Sequence, residues 1–361
     1  MKILFICLST LKFDVTTPLS VPLGGTESAI SYLAPELVKL GHDVTLMCNT
    51  MFDGEQLGVK HTPVSDDKAL FESLDPDFII LTSAPQAAPA IQATAPRAKI
   101  ILWNHMRPDQ PAMQHFFKKE AAQAIHRTVF VSQSQQDAFA KVFPFKEFPW
   151  PFEKIIENAI APAFENMFSS AQQILETKKC RGAYTSTPFR GLGILSQIKE
   201  LPISVFSSMA VYQGDDSSFK EMYANVKAND CIEMCGSVSQ PELAKHLRDV
   251  SFLVYPSIFT ECHSIAIIEA MAAGLKVVTT DAASPQTEFI DSMPLAGATV
   301  DEYAALLRKN INRFRAHPEA WAEQMWKQVQ YINAEFTWAK RACEWDNYLR
   351  SLDVSEPNTQ I

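Results

Sequence analysis

The sequence has no basic stripe, no low-complexity tract and no apolar run long enough to span a bilayer. Its 361 residues carry a formal net charge of −9. That excludes a general nucleic-acid binder, which needs clustered cations to neutralise phosphates. A local basic patch facing phosphate or lipid stays open. Cysteines are few and odd in number, seven in all, and scattered. The one close pair, Cys231 and Cys235, has neither a second pair nor a histidine pair at zinc spacing, so all seven read as reduced thiols of a cytoplasmic protein. No G-x-G-x-x-G turn is present, which removes the nicotinamide fingerprint. The opening "MKILFICLSTLKF" has a charged start and a short apolar stretch but no small-residue cleavage site. It reads as a first strand rather than a targeting segment.

What is present is alternation. "KILFIC" (2–7) is a continuous apolar run, as a parallel strand buried on both faces requires. After a Thr/Ser/Pro-rich loop comes "GGTESAISYLAPELVKLG", with Thr26 as an expected cap and apolar residues at Ile30, Leu33, Leu37 and Leu40. Gly41 should end that helix, and "HDVTLMC" (42–48) completes a βαβ unit. Strand-like runs recur at 77–83, 99–105 and 128–132 with helical patterns between. The proline- and aromatic-rich segment 143–164 breaks the pattern, and the alternation restarts at 203–208, 231–236, 251–257 and 276–281. Two doubly wound α/β domains follow, since the length exceeds what one core supports. We place them at 1–162 and 163–335, with a helix over 336–353 and a tail, 354–361. Trp338, Ala342, Trp345, Leu349 and Leu352 share one face of that helix. Such sheets bind ligands at the C-terminal ends of their strands, here expected to line a central cleft.

Several stretches carry chemistry. The turn "LGGTES" places Gly24 and Gly25 between a strand and a helix start, where free amides attract anions. His105 ends a strand and can hydrogen-bond a sugar hydroxyl. "YTSTPFRGLGIL" (184–195) holds Ser186 and Thr187 and puts Arg190 beside Gly191 at an expected helix start, poised for phosphate oxygens. In "YPSIFTECHSIAIIEAMAAG", the amides of His263, Ser264 and Ile265 open a helix. Glu261 precedes it in a loop, free to accept from hydroxyls, and Glu269 lies within it. Two carboxylates flanking a polyol explain this spacing better than an acid/base pair, which would have to flank one scissile bond. "DPD" (75–77) precedes its strand and reads as a turn, and Asp215 and Asp216 read as a solvated loop. No metal site is expected.

Together these residues resemble the retaining glycosyltransferases of the GT-B fold, family 4. The resemblance runs from "MKILFIC…GGTES" through "RTVFVSQSQQDAF", "ENAIAPAF" and "CGSVSQPELA" to "FTWAKRACEWDNYL". Its most specific element is the Glu-x7-Glu spacing of Glu261 and Glu269. The resemblance implies two Rossmann-like domains facing a cleft, with the last helix crossing back onto the first. It also implies that Glu261 holds the transferred sugar, Glu269 the ribose, and Arg190 the pyrophosphate. The amides of His263, Ser264 and Ile265 would touch sugar and phosphates, and Gly236, Ser237 and Val238 would present backbone to the base. His105 would sit by the anomeric carbon, with Gly24 and Gly25 by phosphate and acceptor.

Two departures stand out. The family's phosphate-loop lysine is replaced by Arg190, while Thr185 or Ser186 falls where an arginine is usual. Its Glu-Gly-Phe-Gly is here Glu-Cys-His-Ser. The expected activity is metal-independent transfer of a hexose, first choice glucose from UDP-glucose, to a hydroxyl of a glycan, glycolipid or small molecule. No cofactor beyond the nucleotide-sugar donor is expected, no nucleic-acid partner, and peripheral contact with the inner membrane face is compatible. Acceptor identity and oligomeric state are left open. The rival readings are an epimerase of the same architecture and a non-catalytic sugar-nucleotide-binding subunit.

Overall fold

A computed structural model describes residues 1–50, 52–143, 153–283 and 289–352. The aromatic stretch up to residue 152, apart from Phe143, and the tail 354–361 lie outside the described residues. The chain divides into two compact units. Met1–Thr17, Gly25–Asn158 and the segment from Trp338 onward form one; Pro18–Gly24 and Ala159–Thr337 form the other.

The first unit is built on eight strands: β1 (Lys2–Cys7), β2 (Asp43–Cys48), β3 (Gly54–Gln56), β4 (Val59–Pro63), β5 (Phe78–Thr82), β6 (Lys99–Asn104), β7 (Arg127–Phe130) and β8 (Glu153–Ile155). They lie in the order β3-β4-β2-β1-β5-β6-β7-β8, parallel except for the β3–β4 pair. In β5 and β6 every residue is buried, as a sheet covered on both faces demands. The β3–β4 hairpin and β8 have no counterpart in the strand-like runs read from the sequence. The hairpin turn Leu57–Gly58 has φ of 52° and 77°, a two-residue turn with leucine where asparagine or aspartate is usual.

Helices α1 (Gly25–Lys39), α2 (Lys68–Leu74), α3 (Ala88–Thr94), α4 (Lys119–Ala124) and α5 (Gln133–Ala140) join these strands. Helix α1 begins at Gly25, so Thr26 is inside it rather than capping it. Ile30, Leu33 and Leu37 are buried as their spacing requires, whereas Leu40 is exposed past the last turn. There Gly41 takes φ of +87°, and its N–H and that of His42 bond the carbonyls of Val38 and Leu37. Asp75, expected in a turn, ends α2 in the left-handed region.

The second unit carries β9 (Lys179–Tyr184), β10 (Ile203–Val205), β11 (Ile232–Met234), β12 (Val250–Tyr255), β13 (Lys276–Thr280) and β14 (Ile290–Met293). All are parallel, in the order β11-β10-β9-β12-β13-β14. Its helices are α6 (Ala171–Thr177), α7 (Lys220–Lys227), α8 (Gln240–Leu247), α9 (Ile265–Ala272), α10 (Val300–Ala316) and α11 (Pro318–Glu335). Both units are thus Rossmann-like.

The last helix, α12 (Trp338–Ser351), belongs to the first unit and packs on α1. The five residues read as its apolar face are all buried. Trp338 stacks on Tyr32, and Trp345 meets the edge of Trp103 in β6 with ring centroids 5.5 Å apart. His42 Nε2 and Asp346 Oδ1 add a contact at 2.8 Å. Among the described residues, no helix is long and apolar enough to cross a membrane. Truncating Trp345 to alanine removes a fully buried ring from this seam and should cost roughly 3–5 kcal/mol in denaturant unfolding.

Candidate functional site

The second unit gathers its chemistry at the C-terminal ends of β9 and β12. Tyr184 closes β9 and Tyr255 closes β12, their rings edge to face at 5.7 Å. After β9 the chain enters a 3-10 turn, Pro188–Arg190, and then a second 3-10 stretch, Leu192–Gln197, not the α-helix start expected there. Gly191 joins the two at φ +110°, and a Cβ on it would lie 2.1 Å from the carbonyl oxygen of Pro256. That close approach seats the Arg190 turn against the end of β12, and only glycine permits it.

Arg190 and Glu261 meet there. Arg190 Nη1 donates to Glu261 Oε1 at 2.8 Å, with side chains 23% and 9% exposed. Glu261 is therefore not free in its loop, as its sequence context suggests; 71 residues separate it from its partner. Tyr255 Oη donates to the same Oε1, also at 2.8 Å. The guanidinium lies over the rings of Phe259 and Phe189, 4.8 and 5.5 Å from their centroids, which adds cation–π attraction. Burial opposes its charge, but Glu261 together with Tyr212 and Tyr255 outweighs that effect and holds it firmly protonated. Its other donors are poorly used: Nη2 lies 3.5 Å from Tyr212 Oη, and buried Nε finds no partner among the described residues. An under-satisfied, half-buried guanidinium suits a planar or tetrahedral oxyanion.

Glu269 sits inside α9 at 4% exposure. Its Oε1 accepts from Gln240 Nε2 at 2.7 Å and from the Ala161 amide at 3.2 Å. Both glutamates thus bind the protein through Oε1, and among the described residues no hydrogen bond falls on either Oε2. Burial raises the Glu269 pKa to about 8, with the Ala161 and Gln240 hydrogen bonds only partly opposing it. The carboxyl therefore keeps its proton at neutral pH in the ligand-free protein.

The remaining expected residues fall as follows. Ser186 Oγ is 3.3 Å from Tyr255 Oη, while the buried Thr187 hydroxyl has no partner among the described residues. Helix α9 starts at Ile265, and Ser264 precedes it without a side-chain cap, leaving the first turn to backbone chemistry. His263 is buried with its ring near that of Phe336. Gly236 takes φ of +71° with open space where a Cβ would point, followed by half-buried Ser237 and Val238. Asp216 is not merely solvated: it accepts from Ser208 Oγ, the Met209 amide and Tyr223 Oη. Among the described residues, no three His, Cys, Asp or Glu side chains gather as metal ligands.

Gly24 closes the short segment Pro18–Gly24 of the second unit, and Gly25, the first residue of α1, belongs to the first. His105 follows β6, its amide donating to Ser83 Oγ at 3.0 Å and its ring against Trp103 at 4.5 Å. Gln135, fully buried, donates to the carbonyls of Asn104 and Met106 on either side of it and accepts from the Val131 amide. Sequence reading missed Gln135, Gln240, Tyr255 and Tyr212. The aromatic residues at "PFRG" and "IFTE" are the one visible signal, since Phe189 and Phe259 flank the two charged residues closely.

Two outcomes follow. A carboxyl whose pKa rises from 4.5 unfolded to about 8 folded holds a proton that the unfolded chain has released. Stability should then fall as pH rises between those values, by about 1.4 kcal/mol per unit at most, and Glu269→Gln should flatten that slope in melts across pH. Gly191→Ala should destabilise the Arg190 turn and lower activity, read by thermal unfolding beside a rate assay.

Residues 200–314 match the sequence model of the family "Glycosyl transferases group 1". No curated protein matches the sequence. Among solved structures, HepE of Anabaena in complex with UDP and glucose superposes with a TM-score of 0.68 at 16% identity, covering 98% of this chain and 100% of that one. WaaG, a glycosyltransferase involved in lipopolysaccharide biosynthesis, gives 0.66 at 12% identity over 96% and 99%. The α,α-trehalose 6-phosphate synthase of Burkholderia multivorans gives 0.70 at 11% over 97% and 98%. These likenesses show the fold, which is GT-B, and the family likeness is that of residues 200–314.

Proposed function

We propose that the enzyme transfers a hexose from a nucleoside diphosphate sugar to an acceptor hydroxyl, with retention at the anomeric carbon and without a metal ion. The observation that carries the reading is the division of labour at the two glutamates. Each is fixed through Oε1 and keeps Oε2 for a ligand, and one of them adjoins a guanidinium with unused donors. A carboxylate and a protonated carboxyl with spare oxygens, together with that guanidinium, suit a sugar, a ribose and a diphosphate. UDP-glucose is the favoured donor, and the UDP-glucose complex of HepE, a protein of like fold, supports that choice.

In this mechanism Glu261 Oε2 accepts from sugar hydroxyls and Glu269 reads the ribose. Arg190 and the amides of His263, Ser264 and Ile265 meet the charge that grows on the departing diphosphate. The backbone of Gly236, Ser237 and Val238 faces the base, and the Ser186 and Thr187 hydroxyls assist the phosphates. The sugar passes through an oxocarbenium-like state, and the leaving phosphate takes the acceptor's proton on the same face. His105 beside the anomeric carbon and Gly24 and Gly25 near the acceptor belong to the same proposal.

A thermal-shift panel of nucleoside diphosphates and their hexose derivatives tests the donor, because a native-state ligand raises stability by RT ln(1 + [L]/Kd). UDP-glucose should give the largest shift. Arg190→Ala should lower kcat/KM about a hundredfold or more, as loss of one preorganised donor does. Excess chelator should leave the rate unchanged. A new isomer formed from the donor alone would overturn transfer in favour of epimerisation.

A further inference from the structure

We infer that Tyr255 is the positioning residue of the site, fixing Glu261 so that its Oε2 alone is presented to the sugar half of the donor. The inference rests on the proposed function above. Glu261 Oε1 has two anchors, and they differ in kind. Arg190 is a cation with unspent donors, so a diphosphate competes with Glu261 for it. Tyr255 has no such competitor. Its phenol is 1% exposed, its ring packs on Tyr184, and its one proton goes to Glu261 Oε1.

The geometry around the phenol keeps that bond directed. With its proton committed, Tyr255 Oη accepts from Ser186 Oγ at 3.3 Å, so the hydroxyl is held from both sides. Burial, and then the Glu261 charge, push the phenol's pKa up, which leaves it a donor at every working pH. The residue is anchored on the sheet rather than in the loop. It closes β12 opposite Thr279, whose Oγ1 donates to the Tyr255 carbonyl at 2.7 Å. The next residue, Pro256, bears the carbonyl against which Gly191 seats. When the diphosphate draws on Arg190, Glu261 would be free to rotate toward solvent. The tyrosine hydroxyl prevents this and keeps Oε2 aimed. Tyr255 therefore acts on sugar recognition through Glu261.

Tyr255→Phe removes one oxygen and keeps the ring, which makes it the decisive variant. Titration calorimetry would compare a nucleoside diphosphate with its hexose derivative, using whichever of the UDP, GDP and ADP pairs gives the largest thermal shift on the wild-type enzyme. The variant should bind the sugar nucleotide about tenfold more weakly, the size of one hydrogen bond to a charged group, with the bare diphosphate unchanged. In a Glu261→Gln background the same substitution should make no further difference. Equal losses for both ligands, or no loss for either, would overturn the role of Tyr255 while leaving the donor reading intact. If no wild-type pair shows tighter binding of the sugar nucleotide, Glu261 reads no sugar, and both the inference and the reading beneath it fall. Should Tyr255→Phe fail to fold, Thr279→Val loosens Tyr255 at its backbone carbonyl instead. It should weaken sugar-nucleotide binding selectively and to a smaller degree, and an unaltered ratio there counts against the inference.

Discussion

The candidate site of the second unit rests on one buried ammonium. Lys178 is buried, and its Nζ donates to three carbonyls, those of Leu247, Val250 and Ala273, at 3.1, 2.6 and 2.5 Å. These are the last residue of α8, the first of β12 and the residue after α9. The far ends of the same elements carry Gln240, Tyr255 and the helix start beside Glu261. One charge therefore sets the mutual placement of the three pieces that build the site. Burial drives the lysine's pKa well down, and the near negative charge of Asp249 only partly restores it. The three carbonyls supply what water would otherwise give.

The same cation serves α9 directly. A helix leaves its last carbonyls unsatisfied and carries partial negative charge at its C-terminus. Lys178 takes the Ala273 carbonyl, and Gln328 donates to those of Met271 and Leu275. With the C-terminal end satisfied inside the protein, the opposite end and its amides are left for a ligand. Buried amides recur in this role: Asn229 joins the carbonyls of Leu195 and Ile198, and Gln135 holds the turn that carries His105.

What the sequence made legible follows from where each signal lies. Strands buried on both faces announce themselves as apolar runs, and α12 announces its face by spacing, because both signals are local. Glu261 and Glu269 stood out by separation alone, yet their partners did not. Arg190 lies 71 residues from Glu261, and the loop at Glu261 gives no hint of an ion pair. Gln135, Gln240 and Gln328 look like surface residues in a string of letters, since glutamine is mostly exposed. Only the fold shows that Gln135 and Gln328 are buried and spend their amides on backbone. The helix start expected at Arg190 is a pair of short 3-10 stretches joined at Gly191, whose close packing on Pro256 no spacing in the sequence shows.

The membership of α12 in the first unit has a consequence for how the chain is made. On the ribosome, residues 159–337 emerge before the segment that covers Trp103 and Tyr32. The first unit must wait through the synthesis of the whole second one with that seam open, its aromatic floor exposed to water and to other nascent chains. Vectorial folding is thus out of order for this protein, since the first unit to start is the last to close.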